Sequence, residues 1–273
     1  MVRDNWVKSL GLDRDGSLFV DIDTGTRLYD RCLDHPLAEI VILHPEDLMR
    51  GENRPLYNCF LTTLNEIAGI VFGSNYDGGH EFKDGEVVVD AGARIGTFSA
   101  KVSAAVGKNG RVIAVEPEPR NFSLLCKNIE ANRLDNVIPV RKMLWSEAGE
   151  VELFLSANAS SHSAYFDGFY SSTGETITAA ADTLDRILDE LGIGAVDFVK
   201  MDIEGAEIEA FRGMTRTLKS GVELAISAYH PVNGNLTHTV VVPQLERLGF
   251  GTSYRDGIIF ARAAMVDLHR PFS

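Results

Sequence analysis

The 273-residue chain is long enough for one large α/β domain with a small addition, and 45% hydrophobic with 24% charged residues is ordinary globular composition with a sizeable core that needs no staple. Its 26 Lys and Arg against 39 Asp and Glu give a net charge of −13, which argues against broad nucleic-acid or anionic-membrane binding, since both rest on clustered cations. Cys32, Cys59 and Cys126 are odd in number, widely spaced and without a CxxC pair, so a zinc site is disfavoured and a reduced, cytoplasmic compartment is the simpler reading.

The opening segment "MVRDNWVKSLGLDRDG" has no apolar signal core, and no stretch approaches the length of a membrane span. "SLFVDIDTG" alternates through Leu18, Val20 and Ile22 as a half-buried strand does. "AEIVILHP" is a short apolar run stopped by Pro45. "LYNCFLTTLNEIAGIVFG" has Leu61, Leu64, Ile67, Ala68 and Val71 at helical spacing, with Gly73 as C-cap. The turn-rich "SNYDGGHEFKDGE" marks the main boundary: residues 1–80 are an N-terminal extension or cap, and residues 81–273 the main domain.

From Glu86 on, apolar strands and helices alternate. "VVVDA", "RVIAVEP", "NVIPVRKML", "VDFVKMDIEG" and "VELAISAYHP" read as strands, with "EVELFLS" a further short one. "TFSAKVSAAVG", "EPRNFSLLCKNIEANRL", "TLDRILDELG", "AEIEAFRGM" and "TVVVPQLERLGF" read as helices, with Phe122, Leu125 and Ile129 sharing one face of the second. "GTSYRDGIIFAR" is a closing hairpin. The pattern predicts an α/β fold with a doubly wound, mostly parallel sheet and an antiparallel strand near its edge. "SANASSHSAYFDGFYSSTGE", residues 156–175, has no sustained period and reads as a lid or a disordered loop.

"VVVDAGARIGTFS" is a strand, a turn of small residues and a helix start. In open α/β sheets ligands bind at such strand ends, and the free N–H groups of the helix face them. Glu116, 20 residues after Gly96, is placed to accept both hydroxyls of an adenosine ribose. A dinucleotide or S-adenosylmethionine would satisfy this much. The turn favours the second. Gly92 and Gly96 are four apart with Arg94 between them, rather than the GxGxxG that a pyrophosphate needs. Asp90 would repel a pyrophosphate but suits an ammonium or a sulfonium.

At these residues the chain resembles the FkbM family of S-adenosylmethionine-dependent methyltransferases. "VVVDAGARIGTFS" is similar to the family's D-x-G-A-N-x-G motif, and "VIAVEPEPRNFSLLCKNIEAN" to its E-P-x-P-x-N-x-x-x-L-x-x-N-x-x-x-N segment. "TLDRIL" resembles its T-L-D element, and "DFVKMDIEGAEIEAFRGM" its K-x-D-x-E-G-x-E-x-x-x-L-x-G signature. The matches run in family order from residue 86 to about 260 and leave the first 80 residues uncovered. Arg94 departs from the family's Asn; it either reaches the cofactor carboxylate, turns outward, or weakens binding. The resemblance implies a Rossmann-like fold, S-adenosyl-L-methionine as cofactor, and O-methylation of a hydroxyl on a sugar or other small molecule. An RNA methyltransferase and a catalytically silent S-adenosylmethionine-binding protein are the alternatives.

The cofactor-binding set is Asp90, Gly92, Ala93, Arg94, Gly96, Glu116, Pro117, Met143, Leu144 and Asp202. Met143 and Leu144 follow the third strand, where they either meet an adenine ring or are core. The catalytic set is Asp202, His230, Lys200 and Glu204. Lys200, Asp202 and Glu204 alternate along an extended segment and share one face. Asp202 or Glu204 would orient a substrate hydroxyl, and Lys200 would stabilise an alkoxide or neutralise the acids. His230 ends another strand and, with a near-neutral pKa, would be a sensible base. Glu207 reads as a structural helix-start acid. His162 and His80 are weaker candidates. Asp202, Glu204 and His230 are also a possible donor set for a divalent metal; no metal is the preferred reading. The partners expected are a small-molecule acceptor, with no nucleic acid and no membrane; a homodimer is one open assembly.

Overall fold

The computed structural model describes residues 6–32, 37–43, 60, 61, 63–65, 67, 68, 76–156, 162–165 and 172–263. Cys59, Pro45, Val71, Gly73 and most of the 156–175 segment lie outside the described residues.

In chain order the strands and helices begin with β1 (Val7–Leu12), β2 (Leu18–Ile22), β3 (Arg27–Asp30), β4 (Val41–Leu43) and β5 (Val87–Ala91). Next come α1 (Thr97–Val106), β6 (Arg111–Val115), α2 (Pro119–Asn132), β7 (Val137–Val140), β8 (Met143–Leu144), β9 (Gly149–Ser156) and β10 (Ser172–Asp182). The chain continues with α3 (Leu184–Glu190), β11 (Phe198–Met201), α4 (Glu207–Arg212), α5 (Thr215–Lys219) and β12 (Glu223–Ser227). It closes with β13 (Pro231–Val232), β14 (Asn235–Leu236), α6 (His238–Arg247), β15 (Phe250–Arg255) and β16 (Ile258–Ala263).

The principal sheet has seven strands in the order β15-β16-β12-β11-β5-β6-β7. Pairs β5/β11, β11/β12 and β6/β7 are parallel, whereas β12/β16 and β15/β16 are antiparallel. This is the expected α/β fold, with the closing hairpin as its antiparallel edge. Strand order reverses between β5 and β11, the place where ligands of open α/β sheets bind.

The chain divides into two compact units, Met1–Gly85 with Ala93–Arg141 and Glu86–Gly92 with Lys142–Ser273. In the first, β1–β4 form an antiparallel sheet in the order β3-β2-β1-β4. The expected strand is β2; β1 and β3 have no counterpart in the sequence reading. Leu18, Val20 and Ile22 are buried as the alternation required, and they cluster with Leu10, Leu12, Leu28, Phe60 and Ile67. Phe60, Leu61, Thr63–Asn65 and Ile67 are helical, but the buried face is Phe60, Thr63 and Ile67, with Leu61 exposed.

In α2 the buried line is Asn121, Leu125 and Asn128, while Phe122 and Ile129 are only half-buried. The reason is polar. β3 is an edge strand, and the amides of Asn128 and Asn132, one helical turn apart, complete its ladder. Asn128 accepts from the Tyr29 N–H at 2.7 Å and donates to its carbonyl at 3.0 Å; Asn132 does the same for Arg27 at 2.8 and 2.6 Å. Each buried backbone group thereby keeps a partner.

The expected third strand, "NVIPVRKML", divides at Arg141 and Lys142, so that β8 joins a different sheet, β8-β10-β9. Met143 packs there against Leu153, Ala179 and Ala181. β10, "STGETITAAAD", was not expected as a strand: Ile177 is its one large apolar residue, and its pairing with β9 supplies the order. α3 starts as anticipated, with the Thr183 hydroxyl accepting from the Arg186 N–H. Among the described residues no helix is long and apolar enough to cross a membrane.

Candidate active site

The turn after β5 is fixed by register. Lys200 stands opposite Asp90 in the β5/β11 pair, and its ammonium lies 3.0 Å from Asp90 Oδ1 with both side chains buried. Lys200 Nζ also donates to the carbonyls of Gly92 at 2.7 Å and Ala91 at 3.3 Å. Lys200 therefore braces the turn. Gly92, at φ 74, is where the two strand ends come closest, since a Cβ there would lie 1.8 Å from the Asp202 carbonyl oxygen. The role of this glycine in the structure is to admit neighbouring backbone.

Arg94 has φ 50, a left-handed conformation that Asn tolerates better than Arg. Its guanidinium turns to Asp30 of β3, with Nη2 3.0 Å from Oδ2 and both side chains largely buried. The Thr63 hydroxyl donates to the same Asp30 oxygen at 2.7 Å. The side chain is thus not turned to solvent, and it ties the turn to β3. Ala93 is buried, and Gly96, at φ 85, admits Leu125, whose Cδ1 would lie 2.6 Å from a Cβ.

Glu116 follows β6 and is 6% exposed. The Arg94 N–H donates to its Oε2 at 2.9 Å and the Glu118 N–H to its Oε1 at 3.0 Å. Burial pushes its carboxyl up to about 7, against the lowering by those two N–H groups. The Asn121 side chain also hydrogen-bonds this carboxylate. A pair of ribose hydroxyls fits this carboxylate: they would supply the hydrogen bonds that its burial takes away. Pro117, next in sequence, is half-buried.

The ends of β11 and β12 carry the densest group of ionisable side chains. His230 is fully buried, and its Nδ1 lies 2.8 Å from Oε1 of Glu207, itself fully buried. Its Nε2 makes no hydrogen bond but faces Glu204 Oε2 at 3.4 Å and Asp202 Oδ1 at 3.7 Å. Burial alone would lower the imidazole pKa; the Glu207 hydrogen bond and the charges of Glu207, Asp202 and Glu204 outweigh it and raise the value to about 9. The expected near-neutral value does not hold, because three carboxylates surround one ring. The three carboxylates favour the protonated ring, and a ligand taken at Nε2 would displace that proton.

Glu207 therefore does more than start a helix. It orients His230 and accepts from the N–H groups of Ile203 and Gly205 at 3.4 and 3.3 Å. Glu204 has φ 52, and its carbonyl accepts the Ser163 hydroxyl at 2.5 Å. Ser163 and Tyr165 thus bring the described part of the 156–175 segment against Glu204 and Gly205. Asp202 is the most open member of the group, its side chain 26% exposed.

Of the expected catalytic set, Asp202, Glu204 and His230 come together, while Lys200 is engaged with Asp90 and the turn. Met143 and Leu144 are buried in β8, Met143 within an apolar cluster. His162 accepts from the Ser156 N–H at 3.0 Å, and the His80 ring packs on Phe82. Sequence reasoning missed Asp30 and Tyr229, and it placed Asn128 and Asn132 in a motif without giving them a role. The Tyr229 ring is half exposed beside the His230 ring, and its hydroxyl is pushed up to about 12 by burial and by the charges of Asp202 and Glu204. Its position directly before His230 at a strand end was the available signal.

Residues 90–250 match the family model described as the methyltransferase FkbM domain. The hexuronic acid methyltransferase AglP of Haloferax volcanii is 31% identical over 142 residues, 51% of this chain and 54% of the relative. A tRNA(Phe) (4-demethylwyosine(37)-C(7)) aminocarboxypropyltransferase of Methanocaldococcus jannaschii is 44% identical over 57 residues, 21% of this chain and 22% of the relative. The chain thus spans about half of the first relative and about a fifth of the second. A crystal structure of a SAM-dependent methyltransferase from Aquifex aeolicus superposes with a TM-score of 0.44 at 14% identity, covering 76% of this chain and 98% of the other.

Proposed function

The chain belongs to the FkbM methyltransferase family, and from that premise we propose that it transfers the methyl group of S-adenosylmethionine to a hydroxyl of a sugar or other small molecule. The observation that carries this reading is the group Asp202, Glu204, Glu207 and His230 at the ends of adjacent parallel strands, where strand order reverses. A hexuronic acid is the first acceptor class to try, because the relative from Haloferax volcanii is named for methylating one.

When bound, the cofactor supplies a methyl group on a sulfonium. Glu116 accepts the hydrogen bonds of the ribose hydroxyls, and the turn Gly92–Ala93–Arg94 with Gly96 presents backbone to the ligand. Asp90 contributes negative charge near the methionyl part, moderated by Lys200. Pro117 and Leu144 are assigned to the adenosine part, Leu144 from its place in the fold; Met143 is assigned to the core. On the acceptor side Asp202, the most open acid, takes the hydrogen bond of the acceptor hydroxyl and receives its proton. Glu204 and His230 lie beside Asp202, and Lys200 is a positioning residue. The half-exposed Tyr229 ring offers a flat face for the C–H side of a sugar ring. β3 is tied to the turn through Asp30 and Arg94.

The test is Asp202→Asn. Turnover on a hydroxyl acceptor falls by about 10²-fold or more, the usual contribution of a positioned base, while S-adenosylhomocysteine affinity changes by less than about threefold. A fully active variant would remove Asp202 from the mechanism. Methyl transfer to RNA, with protection of that RNA from ribonuclease, would instead establish the rival reading that the net charge of −13 disfavours.

A further inference from the structure

His230 presents a ring nitrogen with no hydrogen bond, fully buried and aimed at two carboxylates. The opposite ring nitrogen is fixed by Glu207 at 2.8 Å. The ring cannot turn without breaking that contact. The separations of Nε2 from Glu204 and Asp202, 3.4 and 3.7 Å, are too long for hydrogen bonds, which need about 2.7–3.2 Å. They match two atoms bound to one cation: bonds of about 2.0–2.2 Å at 90–120° separate ligand atoms by about 3.0–3.7 Å. One donor atom from each of the three residues lies within 4.8 Å of the other two. A carboxylate behind a ligating imidazole is the usual outer-shell partner of a metal-bound histidine.

We propose that Asp202, Glu204 and His230 bind one divalent cation of the magnesium or manganese class, with Glu207 orienting the histidine. Two carboxylate oxygens and one imidazole nitrogen suit such an ion better than a thiolate-seeking one. The three donors occupy part of an octahedron, and the remaining positions suit oxygens of a polyhydroxylated or acidic acceptor. This last part rests on the transferase reading above. It would let an acidic sugar approach Asp202 and Glu204, which otherwise repel it.

The experiment uses the full chain freed of metal with EDTA and titrated with Mn²⁺, free ion being read from its electron paramagnetic resonance signal. The expected result is one site per chain, with nitrogen coupling in the pulsed spectrum. Glu204→Gln and Asp202→Asn each weaken binding at least about tenfold, and Glu207→Gln weakens it about 10–100-fold. Glu150→Gln, an exposed acid on β9, leaves binding unchanged. Circular dichroism checks that each variant folds. Absence of a site in the wild type, absence of nitrogen coupling, or binding indifferent to both Glu204→Gln and Asp202→Asn would overturn the proposal and leave the cluster an internal ion pair. S-adenosylhomocysteine titration of the metal-free protein separates the two readings. Cofactor binding without Mn²⁺ binding removes only the metal, whereas Mn²⁺ binding without cofactor binding removes the transferase reading.

Discussion

Replacing Glu116 by Gln removes the charge of the proposed ribose acceptor at nearly constant volume. In the wild type each carboxylate oxygen takes one backbone N–H, at 2.9 and 3.0 Å, and burial holds the pKa near 7. Ribose hydroxyls can only donate to the anion, so binding draws a proton off. With a pKa of about 7, roughly a tenth of the carboxylates are ionised at pH 6 and about nine-tenths at pH 8, so affinity for S-adenosylhomocysteine rises up to about tenfold between them. In Glu116→Gln one acceptor oxygen becomes a donor. At pH 8 affinity falls by about 1–3 kcal/mol, and the pH slope flattens. Calorimetry at pH 6, 7 and 8 in two buffers of different ionisation enthalpy reads both the affinity and the proton release. Stability provides a second readout. Because the folded pKa lies above the ordinary glutamate value of 4.5, the unfolded chain loses this proton first. Wild-type stability relative to the variant therefore falls by roughly 3 kcal/mol as pH rises from 4.5 through 7. Unchanged affinity in the variant, or an unchanged pH slope, would refute the ribose role.

His230→Gln tests the charged cluster in metal-free protein: with a folded pKa of about 9 against 6.5, the wild-type advantage is complete below pH 6.5 and is lost, by roughly 3 kcal/mol, as pH rises through 9; urea melts across that range showing no such loss would contradict it. Arg94→Asn should leave S-adenosylhomocysteine affinity within about threefold, because the guanidinium is held by Asp30, but should cost about 2–3 kcal/mol in urea unfolding. That is a buried pair broken, less relief at a left-handed residue; a large loss of affinity without a loss of stability would return Arg94 to the cofactor. Asn128→Ala removes three hydrogen bonds to Tyr29 and Ile95, and should destabilise by about 2–4 kcal/mol and speed amide exchange in β3; protection as in the wild type would show that the strand needs no such edge.

β5, β6, β11 and β12 were legible because each is an apolar run followed by an acid or a histidine, so period and punctuation agree. β1 and β3 were not, since "VKSLGL" carries a glycine and "RLYD" is only four residues whose ladder is completed by Asn128 and Asn132 about 100 positions away. β10 hid among Ser, Thr and Ala because its order comes from pairing with β9. Within the site, the placing of Asp202, Glu204 and His230 at strand ends was readable. Their distances were not, since they depend on the parallel register of β11 with β12. The same register places Lys200 opposite Asp90, which alternation alone could not distinguish from a place beside Asp202. Arg94 raised a question that the sequence left open, and its answer lies in Asp30, 64 positions earlier.

The most direct test of methyl transfer to a hydroxyl is a product analysis. The full chain is incubated with methyl-labelled S-adenosylmethionine, Mg²⁺ and a panel of hexuronic acids, neutral sugars and RNA, and products are read by mass spectrometry and carbon NMR. The predicted result is S-adenosylhomocysteine formed in step with a labelled methyl group on a sugar oxygen, lost in Asp202→Asn. Label on carbon, nitrogen or RNA, or cofactor binding with no transfer to any hydroxyl, would contradict it.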